Sequence, residues 1–199
     1  MHAAAMSEAP PSSLPLLPLR TVLVPGGSLA LRVLEPRYLD LVRECGRRGG
    51  TFGVCLLLDG VEAGVAASTA AVGTEAAIED FGAGDDGLLS LRLRGRRRFL
   101  ARRTRVRDNG LIVAAVEWRE PDGDDELRPE HAVLGQVLGH ILEQAGGEHA
   151  RGATTKLDDA AWVGWRLVEL LPLSDRQRQA LLQEDDPHVR LDELLALVS

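Results

Sequence analysis

The residue pattern predicts an α+β protein in which a β-rich part precedes a helical part. Two observations carry this prediction. Up to about residue 120, short apolar alternations of period two are separated by Gly-rich turns. Beyond the acidic stretch Pro121 to Glu126, apolar residues recur at three and four positions instead. The expected organisation is a disordered leader over 1–13, a β-rich subdomain over 14–120 and a helical subdomain over 121–199.

Taken in order, Pro15 and Pro18 hold an extended entry segment, and Pro25-Gly26-Gly27 makes a turn. Leu29, Leu31 and Val33 alternate with Ala30 and Arg32 as in a half-buried strand, and Pro36 suits the first turn of a helix. Further strands are expected at 52–58, 72–81, 88–94, 99–106 and 111–118. Gly82-Ala83-Gly84-Asp85-Asp86-Gly87 spells a dinucleotide-loop pattern, but it lies between two β-like runs and no helix follows. Its two aspartates would oppose a pyrophosphate, so it is read as a hairpin loop.

In the second part, Leu134, Val137, Leu138, Ile141 and Leu142 fall on one helical face. Trp162, Trp165, Val168 and Leu171 share another, ended by Pro172. Ser174 with Gln177 forms a capping box, and Asp186-Pro187 caps a last helix with Leu191, Leu194, Leu195 and Val198 facing inward.

A chain of 199 residues can bury one good core or two small ones. It has no apolar run near the roughly twenty residues that a membrane-spanning helix needs. Met1 to Ser13 is small and Pro/Ser-rich without a basic start. It reads as a disordered leader or a start-site artefact rather than a signal peptide, which makes the cytoplasm the expected location and a membrane partner unexpected. Cys45 and Cys55 form neither a C-x-x-C pair nor a disulfide framework, and are expected to be buried thiols in a reducing compartment. His131, His140 and His149 repeat at nine residues, about half a helical revolution each, so they do not converge on a metal. No cofactor is expected.

Several pieces recur in a definite order: Glu35-Pro36-Arg37-Tyr38, Phe52-Gly53-Val54, Gly73-Thr74-Glu75-Ala76, Gly95-Arg96-Arg97-Arg98-Phe99, Leu171-Pro172-Leu173-Ser174, Arg178-Gln179-Ala180-Leu181-Leu182 and Arg190-Leu191. In that order they resemble the N-terminal, substrate-binding domain of Lon proteases. The resemblance implies a PUA-like β pseudobarrel crossed by one helix, about Pro36 to Arg48, followed by a C-terminal helical bundle. In full-length Lon proteases this region precedes an ATPase and a serine–lysine peptidase module and helps to gather protein substrates. Neither module is expected here. A P-loop needs G-x-x-x-x-G-K-[ST], and the only lysine, Lys156, follows threonines and precedes Leu157. Beside Asp158 and Asp159 its ammonium stays protonated and is a poor catalytic base.

The resemblance therefore implies a stand-alone, non-catalytic protein that binds unfolded polypeptides or a partner protein, a separate Lon protease among them. Expected polypeptide contacts are Leu23, Tyr38, Phe99 and Trp118. Glu35, Pro36, Arg37 and Tyr38 are expected to lock a strand-to-helix corner by hydrogen bonds rather than to do chemistry.

One feature favours another partner. Arg92, Arg94, Arg96, Arg97, Arg98, Arg102, Arg103, Arg105 and Arg107 crowd two adjacent expected strands in a chain of net charge −7. Arg94, Arg96, Arg103 and Arg105 are the candidate contacts for an anionic ligand such as nucleic acid. Against this, Phe99 alone offers a stacking ring, and the arginines have internal acidic segments, 122–126 and 184–186, with which to pair.

Overall fold

The computed structural model describes residues 11–58, 68–146 and 156–199. Among the described residues there are six strands: β1 (Ser13–Leu19), β2 (Ser28–Val33), β3 (Phe52–Leu56), β4 (Val72–Ala83), β5 (Leu89–Val106) and β6 (Ile112–Trp118). Helix α1 (Pro36–Arg48) crosses between β2 and β3; α2 (Ala132–Ala145), α3 (Ala160–Leu170), α4 (Asp175–Gln183) and α5 (Pro187–Val198) follow the sheet. Strand order is β2-β5-β4-β3-β1-β6, and β6 pairs again with β5. That last pairing closes β5, β4, β3, β1 and β6 into a barrel, with β2 added along the first half of β5.

Two strand expectations need correction. The runs 88–94 and 99–106 are not two strands but one, the 18-residue β5. Its glycine does not turn the chain; it lets another segment approach. Gly26 N–H donates to Gly95 C=O and Gly95 N–H to Gly27 C=O, both at 2.9 Å. A Cβ on Gly95 would stand 2.1 Å from the Val24 carbonyl oxygen, so only glycine admits this contact. The entry segment, secondly, is itself a strand. Ser13–Pro15 pair antiparallel with β6, and Leu16–Leu19 pair parallel with β3. Of the expected leader, residues 1–10 lie outside the described residues, whereas Ser13 already belongs to β1 and the Ser12 carbonyl accepts from Val116 N–H.

The ordered sequence pieces meet in space. Phe99 is fully buried and seated on two glycines: a Cβ on Gly53 would lie 2.5 Å from its ring, and one on Gly73 2.7 Å. Glu75, also buried, accepts from Thr51 Oγ1 at 2.7 Å and from Arg97 Nε at 3.1 Å. Thr74 Oγ1 donates to the Leu23 carbonyl at 2.6 Å. The hairpin reading of 82–87 matches the backbone, with Gly84 N–H bonded to Leu88 C=O and Gly87 at φ 76°.

The helices are punctuated as their sequences dictate. Ser174 and Gln177 make both bonds of the capping box, and Asp186 accepts from the amides of His188 and Val189. Arg178 donates to the Val168 and Leu171 carbonyls, satisfying the end of α3. Val198, expected to face inward, is 42% exposed, because the packed face of α5 ends at Leu194 and half-buried Leu195.

Sheet and helices share one apolar cluster, in which Val24 and Val72 pack with Leu134, Leu138, Val163 and Leu167. Polar struts cross the same junction. Gln179 Nε2 donates to the Val72 carbonyl, and Arg98 donates to the Leu182 and Glu184 carbonyls. Arg190, fully buried, forks onto Asp122 at 3.1 and 3.2 Å and stacks over Trp165, whose Nε1 donates to the same carboxylate. The acidic stretch after β6 is thus an ordered strap, and Glu126 makes a bridge with Asp159.

Candidate polypeptide-binding groove

β4 outruns its neighbour. It has 12 residues against five in β3, and pairing between the two stops at Phe52↔Ala76. Beyond that point residues 77–83 pair with β5 alone among the described residues. The chain that would continue the β3 line departs instead through Gly49, whose φ of 65° closes the C-terminus of α1. A groove of about 670 Å³ occupies the vacated position, between α1 and the overhanging half of β4.

Its floor is apolar because two amphipathic elements face each other there. Helix α1 buries Leu41 and Cys45 in the barrel core and turns half-buried Leu39 and Val42 toward the groove. Ile78 lies opposite Leu93 and Phe81 opposite Leu91, so both rise on the core-facing side of the sheet. Ile78 is covered there. Phe81 extends past the packed helix and remains 71% exposed.

The rim is charged. Glu79 is held by two hydrogen bonds from Arg94, at 2.7 and 3.2 Å, which keep its carboxyl below the usual range. Arg43 reaches Asp40 at 3.4 Å. Arg96 is exposed and makes no ion pair among the described residues. Burial, with Glu44 adding to it, pushes the Cys45 thiol up to about 11. Burial alone pushes Cys55 up to about 12. Both are protonated, weakly reactive thiols at neutral pH.

The residues expected to touch polypeptide are scattered by the fold. Leu23 and Phe99, at 3% and 0% exposure, are core residues and present no surface. Trp118 is half-buried on β6; Arg97 stacks 4.3 Å over its ring, and its Nε1 donates to the Pro11 carbonyl. Tyr38 is half-buried in the first turn of α1 with Arg37 4.8 Å over its ring, and burial raises its phenol above the ordinary value. At that corner Arg37 donates to Glu35 at 2.9 Å and to the Gly110 carbonyl at 3.1 Å, while Pro36 opens the helix.

The arginines from Arg92 to Arg107 divide in two. Arg94, Arg97, Arg98, Arg102 and Arg107 are each paired with a carboxylate of this chain. Arg92, Arg96, Arg103 and Arg105 are exposed with no such partner among the described residues. His131 is buried with its Nε2 2.6 Å from Asp192, and His149 lies outside the described residues. Among the described residues no three His, Cys, Asp or Glu side chains gather as a metal site would require. No helix there is long and apolar enough to cross a membrane.

The groove residues Leu39, Val42, Ile78 and Phe81 were not singled out in the sequence. The available signal was the apolar Phe81 close to a Gly-rich hairpin tip, where a buried strand residue is out of place.

Comparison with curated proteins finds no match. Among solved structures, the chain is similar to a Lon N-terminal domain protein from Xanthomonas campestris, with 61% identity and a TM-score of 0.77 over 92% of this chain and 97% of that one. It shares its fold with the N-terminal domain of Mycobacterium avium complex Lon protease, at 18% identity and a TM-score of 0.66, covering 92% and 96% of the two chains. The family model for the ATP-dependent protease La (LON) substrate-binding domain matches residues 13–199. The chain belongs to the Lon substrate-binding domain family.

Proposed function

We propose that this protein binds polypeptides without acting on them chemically, and that the groove between α1 and residues 77–83 of β4 is where it holds them. The observation that carries this reading is an apolar floor ended by Phe81, 71% exposed, in a cavity of about 670 Å³. A groove of that volume is in the range that folded proteins use for ligands. Exposed aromatic anchors beside apolar pockets are where binding energy concentrates. Family membership supports the same class of partner, since the matched model describes a substrate-binding domain. On this reading the motif residues build the scaffold and the groove supplies the function. A cytoplasmic setting and a separate Lon protease as client or collaborator belong to the same proposal.

The test uses a permanently unfolded probe, fluorescently labelled, reduced and carboxymethylated α-lactalbumin, with anisotropy as the readout. Saturable binding that weakens about tenfold in Phe81→Ser supports the groove. Binding unchanged by that substitution, or no binding, contradicts it. An oligonucleotide competitor tests the alternative reading, for which Arg92, Arg103 and Arg105 are the exposed, unpaired cations on β5 outside the groove among the described residues. Displacement of the probe by nucleic acid, lost at high salt, would transfer the function to that face.

A further inference from the structure

We infer that the groove takes its polypeptide as an added β-strand, hydrogen-bonded to the open edge of β4, and that the segment it prefers carries an acidic residue beside its apolar ones. The inference rests on the polypeptide-binding reading above and specifies how that site works.

The backbone of β4 is open on one side. β4 is paired by β5 along both halves, but its other edge is paired by β3 only as far as Ala76. Residues 77–83 therefore present a row of backbone amides and carbonyls with no strand beside them among the described residues. An unpaired edge is a template for another extended chain. This edge contains no proline and no lysine; its protection is limited to Glu79 and Asp80, a register shift between Ile78 and Asp80, and the Asp80 carboxylate that accepts from Phe81 N–H at 2.9 Å and that an incoming strand would displace. At roughly 3.3 Å per residue it accepts a strand of about five to seven residues.

The cavity adjoins this open edge. It lies where β3 would continue, bordered by Gly50 and Thr51 at the point where the chain departs and by Ala77, Ile78 and Phe81 along the edge. A strand placed there presents alternate side chains to opposite faces. One set falls onto Leu39, Val42 and Phe81, so every second residue of the segment should be apolar.

Charge on the rim is unbalanced. Glu79 is neutralised by the fork from Arg94. Arg96, on the same rim, has no ion-pair partner among the described residues. The uncompensated charge at the groove is positive, which favours an Asp or Glu on the polar face of the incoming segment.

The experiment compares four labelled decapeptides: a parent alternating Leu or Val with Ser and carrying one Asp, two versions doubly N-methylated at alternate phases, and one with Asp replaced by Lys. N-methylation removes a backbone donor while leaving the side chains in place. Strand addition predicts that one phase of methylation weakens binding about tenfold or more while the other leaves it within about twofold. It also predicts that the Lys peptide binds more weakly than the parent and that Arg96→Glu reverses that order. If both methylated peptides bind like the parent, strand addition is wrong although the groove reading survives. Should binding of the parent itself be absent, both fail. Concentration-dependent dimerisation that the parent peptide cannot reverse would show the edge to be taken by a second copy of this chain, and overturns the inference.

Discussion

Single side chains separate scaffold from surface in this molecule. Phe99 sits on Gly53 and Gly73 with no room to spare, so Phe99→Ala should cost about 3–5 kcal/mol of unfolding free energy in a denaturant titration. Phe81→Ser, at an exposed position, should change stability by less than about 0.5 kcal/mol while weakening polypeptide binding. Cys55 offers a pH test. Burial raises its folded-state pKa from an ordinary 9.0 to about 12, so the native state keeps a proton that the unfolded chain releases. The stabilisation is complete below pH 9.0 and is lost as pH rises toward about 12. In Cys55→Ala the decline of unfolding free energy across that alkaline window should be shallower than in the parent. An equal slope in both would show that the thiol titrates normally.

Between elements, what was legible in the sequence was what is local. The limits of α1 follow from Pro36 at its start and the glycines at its end, and the Ser174/Gln177 capping box forms as spelled. Ser174→Ala should accordingly cost about 1 kcal/mol in thermal or denaturant unfolding, with no effect on polypeptide binding. Pairing between distant strands was not legible. Nothing near Pro15 announces that its segment lies between β6 and β3, because two prolines argue against a ladder and the partners stand far along the chain. The continuity of β5 was hidden for a related reason. Gly95 reads locally as a break, and only the close approach of Val24 and the Gly26–Gly27 turn explains it. The groove escaped notice because it is a difference in length between β3 and β4, a property of two elements that neither shows alone.

Across the whole molecule, the sheet and the helices are tied by a shared apolar cluster and by buried arginines. This is why the motifs of the two halves occur together. Arg98 and Arg190 both approach Trp165, and Arg190 is neutralised by Asp122 from the strap between the two parts. Removing one partner leaves a buried charge uncompensated, so Asp122→Ala should destabilise by about 3–5 kcal/mol. Replacing both, as Asp122→Leu with Arg190→Met, should recover much of the loss in the same denaturant titration. That scaffold leaves one face unfinished, where β4 runs past β3 beneath α1. The proposed polypeptide binding lies there. Its most direct test is an amide chemical-shift titration of the isotopically labelled protein with the alternating Asp-containing decapeptide. Saturable shifts concentrated at Leu39, Val42 and residues 77–83 are the predicted result. Shifts confined to Arg103 and Arg105, or none at saturating peptide, would contradict it.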